Sequence, residues 1–374
     1  MSRLRVLFFL AIGLLLAAHP MLAATYAVGT CKPSLPSYTT ISAAVGAVPP
    51  FSTVEVCPGT YSEQVMIAQP LTLKGISSGN AGQAVVTVPG SGLIVVTDGF
   101  GISIAPQVHV TAGPVNISDI TVDGTGNTVG GSAWLVGIFY DSNSSGTVNE
   151  VTVRNLSDSG ITGGVWAENT NATSESVTIE NSNFHDIDNS AVITLSNPAS
   201  TLSAAVKGNT MQGGYYQVQW QSGAGSLTAN VINGGYEAIV VSAPLSGPAI
   251  GPLTVSGNTT ANQSYGIVAY GGVTATSNKI SNASVAGIYE GGGGNTYKGN
   301  AITKTSVGIE FNCNTPTVTS NTINDATTGL NDVPASFSGA NGFDNVVTLR
   351  TDGCGSARTL PKAPPSGPMR APAH

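Results

Sequence analysis

The hexapeptide VTSNTI, residues 318–323, is chemically bland, yet ATSNKI (275–280), YKGNAI (297–302), VSGNTT (255–260) and VKGNTM (206–211) place asparagine at the same fourth position. Aligned on that motif, a recurring segment extends back from Val318 through Tyr297, Ala275, Val255, Leu227, Val206, Ile179, Val153 and Val122. The intervals are 21, 22, 20, 28, 21, 27, 26 and 31 residues. Self-similarity at such a period marks a repeat architecture. A second apolar piece follows in each unit: VGIEF (307–311), AGIYE (286–290), YGIVAY (265–270), EAIVV (237–241) and SAVITL (190–195). Short apolar or alternating runs separated by Gly, Asn and Ser read as strands and turns. A 21-residue unit has room for three short strands and none for a helix of ordinary length.

Three strands per turn, each turn stacked about 4.8 Å above the last, make a right-handed parallel β-helix. The expected fold class is therefore all-β, a single-stranded β-helix of about ten or eleven coils. Asn209, Asn230, Asn258, Asn278, Asn300 and Asn321 would form an amide ladder at one corner, where asparagine also tolerates left-handed backbone. Open ends of such a stack must be blocked. TTISAAVGAVPP (39–50) offers a threonine cap and then Ile41, Val45 and Val48 at helical spacing, so a short helix should close the bottom. Residues 335–354 would close the top.

Composition agrees. Charged residues make up 9 % of the 374 positions, against roughly 25 % in typical globular domains, and Thr, Ser, Asn and Gly wet the surface instead. Arg3 and Arg5, an apolar run over 6–18 and small residues before Thr25 are the pattern of a secretory signal over 1–24. The β-helix with its caps would then occupy 25–354, and a Pro-rich disordered tail 355–374. Without Arg3 and Arg5 the chain keeps 11 basic and 20 acidic residues, which argues against nucleic acid. The mature chain has no membrane span, and the expected localisation is secreted or periplasmic. Cys31, Cys57, Cys313 and Cys354 lie in one pair near each end. In an exported chain they read as disulfides, and end-local pairing is the simplest of three connectivities.

The repeated NTI and GI units resemble the parallel β-helix repeats of the pectate-lyase superfamily over roughly 53–349. Residues 38–75, YTTISAAVGAVPPFSTVEVCPGTYSEQVMIAQPLTLKG, resemble the first coil of pectin methylesterases. That superfamily includes lyases, hydrolases, esterases, epimerases and noncatalytic surface proteins, so the likeness speaks to fold more than to activity. The DFIFG-like strand of pectin methylesterases is absent, as are the NTD, GHG and RIK signatures of polygalacturonases. Pectate lyases set calcium-binding carboxylates beside a basic residue, and for that chemistry the chain offers candidates.

In the register above, Asp123, Arg154, Glu180 and Lys207 fall in successive units as one alternating column. This is either a charge ladder or the floor of a substrate groove in which Arg154 neutralises a uronate, Glu180 takes part, and Lys207 or His185 accepts the proton. Asp158 and FHDID (184–188), with Asp186 and Asp188, would join Asp123 as ligands for Ca²⁺, the one cofactor considered; a polar turn is the alternative. Tyr216, Trp220, Tyr236 and Tyr270, with Tyr215, Tyr265 and Tyr289 nearby, would stack on sugar rings. The function expected is an exported protein that binds acidic polysaccharide, with cleavage of lyase or hydrolase type left open. The alternative is a noncatalytic structural or adhesive surface protein, which outward-facing Ile193, Val240 and Val268 would favour.

Overall fold

The computed structural model describes residues 23–77, 82–171, 173–197, 200–221, 223–242 and 252–354. The expected tail and nearly all of the expected signal segment lie outside the described residues. The chain winds as a right-handed parallel β-helix with three walls. The first wall is a 13-stranded sheet. The second and third walls form a 23-stranded sheet folded across a corner, into which strands such as Ala301–Glu310 and Thr322–Asn331 run unbroken. Eleven three-walled coils run from the strand Thr53–Val56 to the strand Thr322–Asn331, and the short strands Gly342–Asp344 and Thr348–Arg350 lie on top.

Alternation explains each wall. In Leu253–Ser256 the burial runs buried, exposed, buried, half-buried, so Leu253 and Val255 enter the bore while Thr254 and Ser256 face out. Stacked aliphatics of this kind form one continuous core from Val28 to Val333. Two corners turn the chain, each through a residue with positive φ. Between the first and second walls this residue is Gly208, Ala229, Gly257, Ser277, Gly299 or Ser320, with φ between 56° and 66°. The ladder asparagine follows it. The left-handed residue therefore precedes the asparagine at this corner, whereas at the second corner Asn262 and Asn282 adopt it themselves.

The ladder is continuous. Asn209 Nδ2 donates to Asn230 Oδ1 at 3.0 Å, and the same contact recurs through Asn258, Asn278, Asn300, Asn321 and Asn341. Each Nδ2 also donates to a main-chain carbonyl of the coil below, as Asn258 does to Leu227 O at 2.9 Å. Below Asn209 the column continues as Ser182 and then Val151.

That change of residue accounts for a correction to the repeat. Tyr297, Ala275, Val255, Leu227, Val206 and Ile179 pair in register on the first wall. The partner of Ile179 below is Val148, whereas Val153 and Val122 pair with each other on the second wall. Without an asparagine to mark the corner, TVNEVTV (147–153) reads equally well in either register.

Both ends are capped. Thr40 Oγ1 accepts from Ala43 N, Glu63 accepts from Ile41 N and Ser42 N at 2.8 Å each, and the helix Ile41–Ala47 buries Ile41, Ala44 and Val45 against the first coil. The disulfides join Cys31 to Cys57 and Cys313 to Cys354. No described helix is long and apolar enough to cross a membrane.

Candidate functional site on the third wall

The acid and base column divides into two. Asp123 and Arg154 are neighbours on the second wall, with Arg154 Nε 2.8 Å from Asp123 Oδ2, and His185 follows Arg154 in register. Burial alone would raise the Asp123 carboxyl, but hydrogen bonds from Thr125, Asn155 and Arg154 hold it at about 2. Glu180 and Lys207 oppose each other on the first wall. Arg154 and Lys207 therefore lie on different walls, and the lyase constellation is not assembled.

The expected calcium ligands are spent on turns. Asp188 accepts from Ser157 Oγ at 2.7 Å and from Asp158 N at 3.2 Å, and Asp186 accepts from His185 Nδ1 at 2.7 Å. No group of three or more His, Cys, Asp or Glu suited to a metal ion occurs among the described residues.

The third wall concentrates what remains. Its lower part is roofed by a hairpin whose strand Val96–Thr97 runs antiparallel to the start of the wall strand Ser103–Val110, Val96 beside Ile104 and Thr97 beside Ser103. Phe100 and Ile102 pack on Phe139, Trp166, Ile193 and Leu195. Beneath the hairpin, Asp98 and Glu168 face each other and share a hydrogen bond. Asp98 Oδ1 accepts from Phe100 N and Ile102 N, and Glu168 Oε1 from Gly99 N. Burial, reinforced by Asp98, pushes Glu168 up to about 10; burial also raises Asp98 and Glu175. His109 stacks on Phe139 and lies 3.1 Å from Asp141. Sequence reading passed over this cluster because its parts are a wall strand and an unrelated loop; the Asp-Gly turn at 98–99 was its single local mark.

Above the hairpin, two outward columns emerge. One runs Ile193, Gln219, Val240, Val268, Tyr289 and Glu310; the other runs Ser190, Tyr216, Glu237, Tyr265 and Ala286. Tyr215 and Tyr236 stack with centroids 4.9 Å apart, Tyr236 meets Tyr265 edge-on at 5.6 Å, and Tyr265 meets Tyr289 at 5.7 Å. Tyr216, Val240 and Val268 form the buried floor, on which Tyr215, Tyr265, Tyr270 and Tyr289 pack half-buried. Tyr236 stands exposed. Of the expected sugar-binding residues, Tyr216, Tyr236 and Tyr270 belong to this surface. Trp220 does not: it is wholly buried in the bore, its Nε1 donating to Gly223 O. Val240 and Val268 face outward as considered, but lie beneath the tyrosines rather than forming an aliphatic sheet.

Glu237 sits between Tyr216 and Tyr265. Burial pushes its carboxyl up to about 7, and no hydrogen bond or ion pair reaches it among the described residues. The rings around it are raised in turn: Tyr265 to about 12, and Tyr216 and Tyr270 further. The spacing of Tyr216, Glu237 and Tyr265, 21 and then 28 residues, was available in the sequence to mark this group.

A family model described as "Periplasmic copper-binding protein (NosD)" matches residues 168–354, half of the chain. This chain belongs to the NosD family. No curated protein matches it. Among solved structures, the NosD-family helix resembles the A-module of the Azotobacter vinelandii mannuronan C-5 epimerase AlgE4, at 17 % identity and TM-score 0.62 over 83 % of this chain and 90 % of that one. It also resembles a GH136 lacto-N-biosidase from Eubacterium ramulus, at 9 % and 0.62 over 87 % and 68 %, and a tailspike of the E. coli bacteriophage HK620, at 12 % and 0.53 over 86 % and 66 %. At these identities the likeness is one of fold.

Among the described residues, no donor set of this NosD-family chain fits copper. Copper takes several donors brought together, either imidazole with thiolate and thioether or nitrogen and oxygen ligands in a square plane. Here all four cysteines are in disulfides, His109 and His185 are engaged by Asp141 and Asp186, and Met66 beside His109 adds a single thioether.

Proposed function

We propose that this chain is an exported β-helix that binds a polysaccharide along the third wall. The tyrosine row carries the reading: Tyr215, Tyr236, Tyr265 and Tyr289 present rings from consecutive coils on one half-exposed surface. Rings with an apolar face and a polar edge suit the stacking of pyranoses, and a flat wall accepts a polymer where a closed pocket would not. The periplasmic description of the family and the two disulfides support export. The mannuronan, lacto-N-biose and tailspike relatives, whose names or bound pentasaccharide refer to glycans, support the class of ligand.

Binding rather than hydrolysis is supported by carboxyl spacing. Glu310, the next outward carboxyl above Glu237, is three strands higher, about 14 Å along the stack. Paired glycosidase carboxyls stand roughly 5–9.5 Å apart. An acidic polymer is disfavoured as well, because Arg154 and Lys207 are on other walls and the third-wall strands between Trp134 and Glu290 contain no Lys or Arg.

Affinity electrophoresis of the mature protein through gels containing neutral, cationic or uronate polysaccharides tests this reading. Tyr236→Ala should lower retention by up to about tenfold, as expected when ring–sugar stacking worth about 0.5–1.5 kcal/mol is lost. Equal retention of wild type and Tyr236→Ala on every polymer would defeat it.

A further inference from the structure

The tyrosines account for contact with a sugar ring, but they leave Glu237 without a purpose. Among the described residues it is the carboxyl set into the tyrosine floor, opposed by Tyr216 on one side and Tyr265 on the other. Glu237 is half-buried with no protein donor among the described residues, a partial desolvation that carries a cost, whereas the wholly buried Glu290 is given donors. That residue is buried in the bore and accepts from Asn295, Tyr297 and Gly292. Glu237 receives nothing comparable. A leucine or threonine would pack on this floor at less cost.

The surroundings specify what would complete it. Aromatic faces attract cations through the ring quadrupole, and an adjacent carboxylate adds direct charge pairing. An anionic ligand would meet Glu237, and the third-wall strands between Trp134 and Glu290 offer no Lys or Arg to offset it. A hydroxyl would answer the hydrogen-bonding need but leave the charge unmatched. An alkylammonium group matches all three features: ring faces, carboxyl and the absence of lysine and arginine.

We propose that the tyrosine floor around Glu237 is a subsite for an organic ammonium group, and that the polysaccharide of this wall carries free amines, as a de-N-acetylated hexosamine polymer does. This rests on the glycan reading above and narrows it. The carboxyl, held near 7 while the subsite is empty, ionises when the cation arrives, so binding at pH 6 releases a proton.

The test uses the full mature chain and isothermal titration at pH 6 in two buffers of different ionisation enthalpy, with glucosamine oligosaccharides, their N-acetylated counterparts and tetramethylammonium. Glucosamine oligomers should bind at least about tenfold tighter than N-acetylated ones, with proton release visible as a buffer-dependent heat. Glu237→Gln, which keeps the shape, should erase both the preference and the proton release. If both oligomers bind equally and Glu237→Gln changes nothing, the ammonium subsite is wrong while the glycan reading stands. If neither oligomer nor any other polysaccharide binds, both fall. Saturation by tetramethylammonium with no gain from oligomer length would uphold ammonium recognition and assign it to a free small cation, against a polymer.

Discussion

Asn258 makes four hydrogen bonds with one side chain. Its Oδ1 accepts from Asn230 N and Nδ2, and its Nδ2 donates to Leu227 O and Asn278 Oδ1. Replacing it by alanine strands several buried groups at once, so Asn258→Ala should cost about 2–4 kcal/mol in denaturant unfolding. Asn262 also bonds to neighbouring asparagines, Asn233 and Asn282, but at the surface where water can substitute. Asn262→Ala should therefore cost under about 1 kcal/mol, and equal losses at the two positions would show that the buried ladder has no special weight. Three of the corner residues before the ladder asparagines are L-residues in a left-handed conformation, and Ala229, φ 56°, stands between coils that use Gly208 and Gly257. An L-residue pays about 1–2 kcal/mol there, partly offset by glycine's greater freedom when unfolded. Ala229→Gly should raise stability by about 0.5–1 kcal/mol.

At the scale of elements, the hairpin over the third wall depends on protonation. Glu168 is raised from 4.5 to about 10 by burial and by Asp98, while Asp98 and Glu175 are raised too; Asp141 and His109 complete the titratable groups against it. The folded state thus binds more protons than the unfolded state above about pH 4.5. The stability this gives is complete below that pH and is lost as pH rises through about 10. Because Phe100 and Ile102 pack against the outer cluster that contains Trp166, alkaline titration should red-shift tryptophan emission as the hairpin lifts. Glu168→Gln, which can donate to Asp98 at any pH, should flatten the titration; an unchanged curve would show that the carboxyl pair does not hold the hairpin down. The bottom helix, by contrast, was legible in its residues: Thr40, Ile41 and Val45 do what a cap and an apolar face do, whereas the carboxylate on its first turn comes from distant Glu63.

For the whole molecule, stacking makes each coil depend on its neighbours, so the ends are where unfolding and association begin. The Cys313–Cys354 disulfide spans 41 residues and ties the top segment to the last coils. Its removal by Cys313→Ser with Cys354→Ser should cost about 3–4 kcal/mol in the chain-entropy picture. The loss should appear as early opening of residues 335–354 in hydrogen exchange, with concentration-dependent oligomers in light scattering from the exposed strand edges. A single global transition shifted as a unit, with no oligomers, would show that the top coil is not a separate unit of opening.

The sequence by itself determined the β-helix, its approximate number of coils, the asparagine ladder and the capping helix, and it favoured one of three disulfide pairings. Each of these is written in local period, corner residue or proximity along the chain. Only the tertiary structure decided which wall a residue occupies. A strand of the first wall and one of the second both read as alternating apolar residues, so Val153 and Ile179 looked equivalent where Ser182 and Val151 replace the corner asparagine. That one slip joined Arg154 to Lys207, which lie on different walls; Trp220 fills the bore for a separate reason, because alternation along Tyr216–Gln221 turns it inward with Val218. The same dependence hid the better site. Asp98 meets Glu168 only because a hairpin folds back onto coils far ahead in sequence, and Glu237 meets Tyr216 and Tyr265 only because parallel stacking sets residues 21 and 28 positions apart side by side.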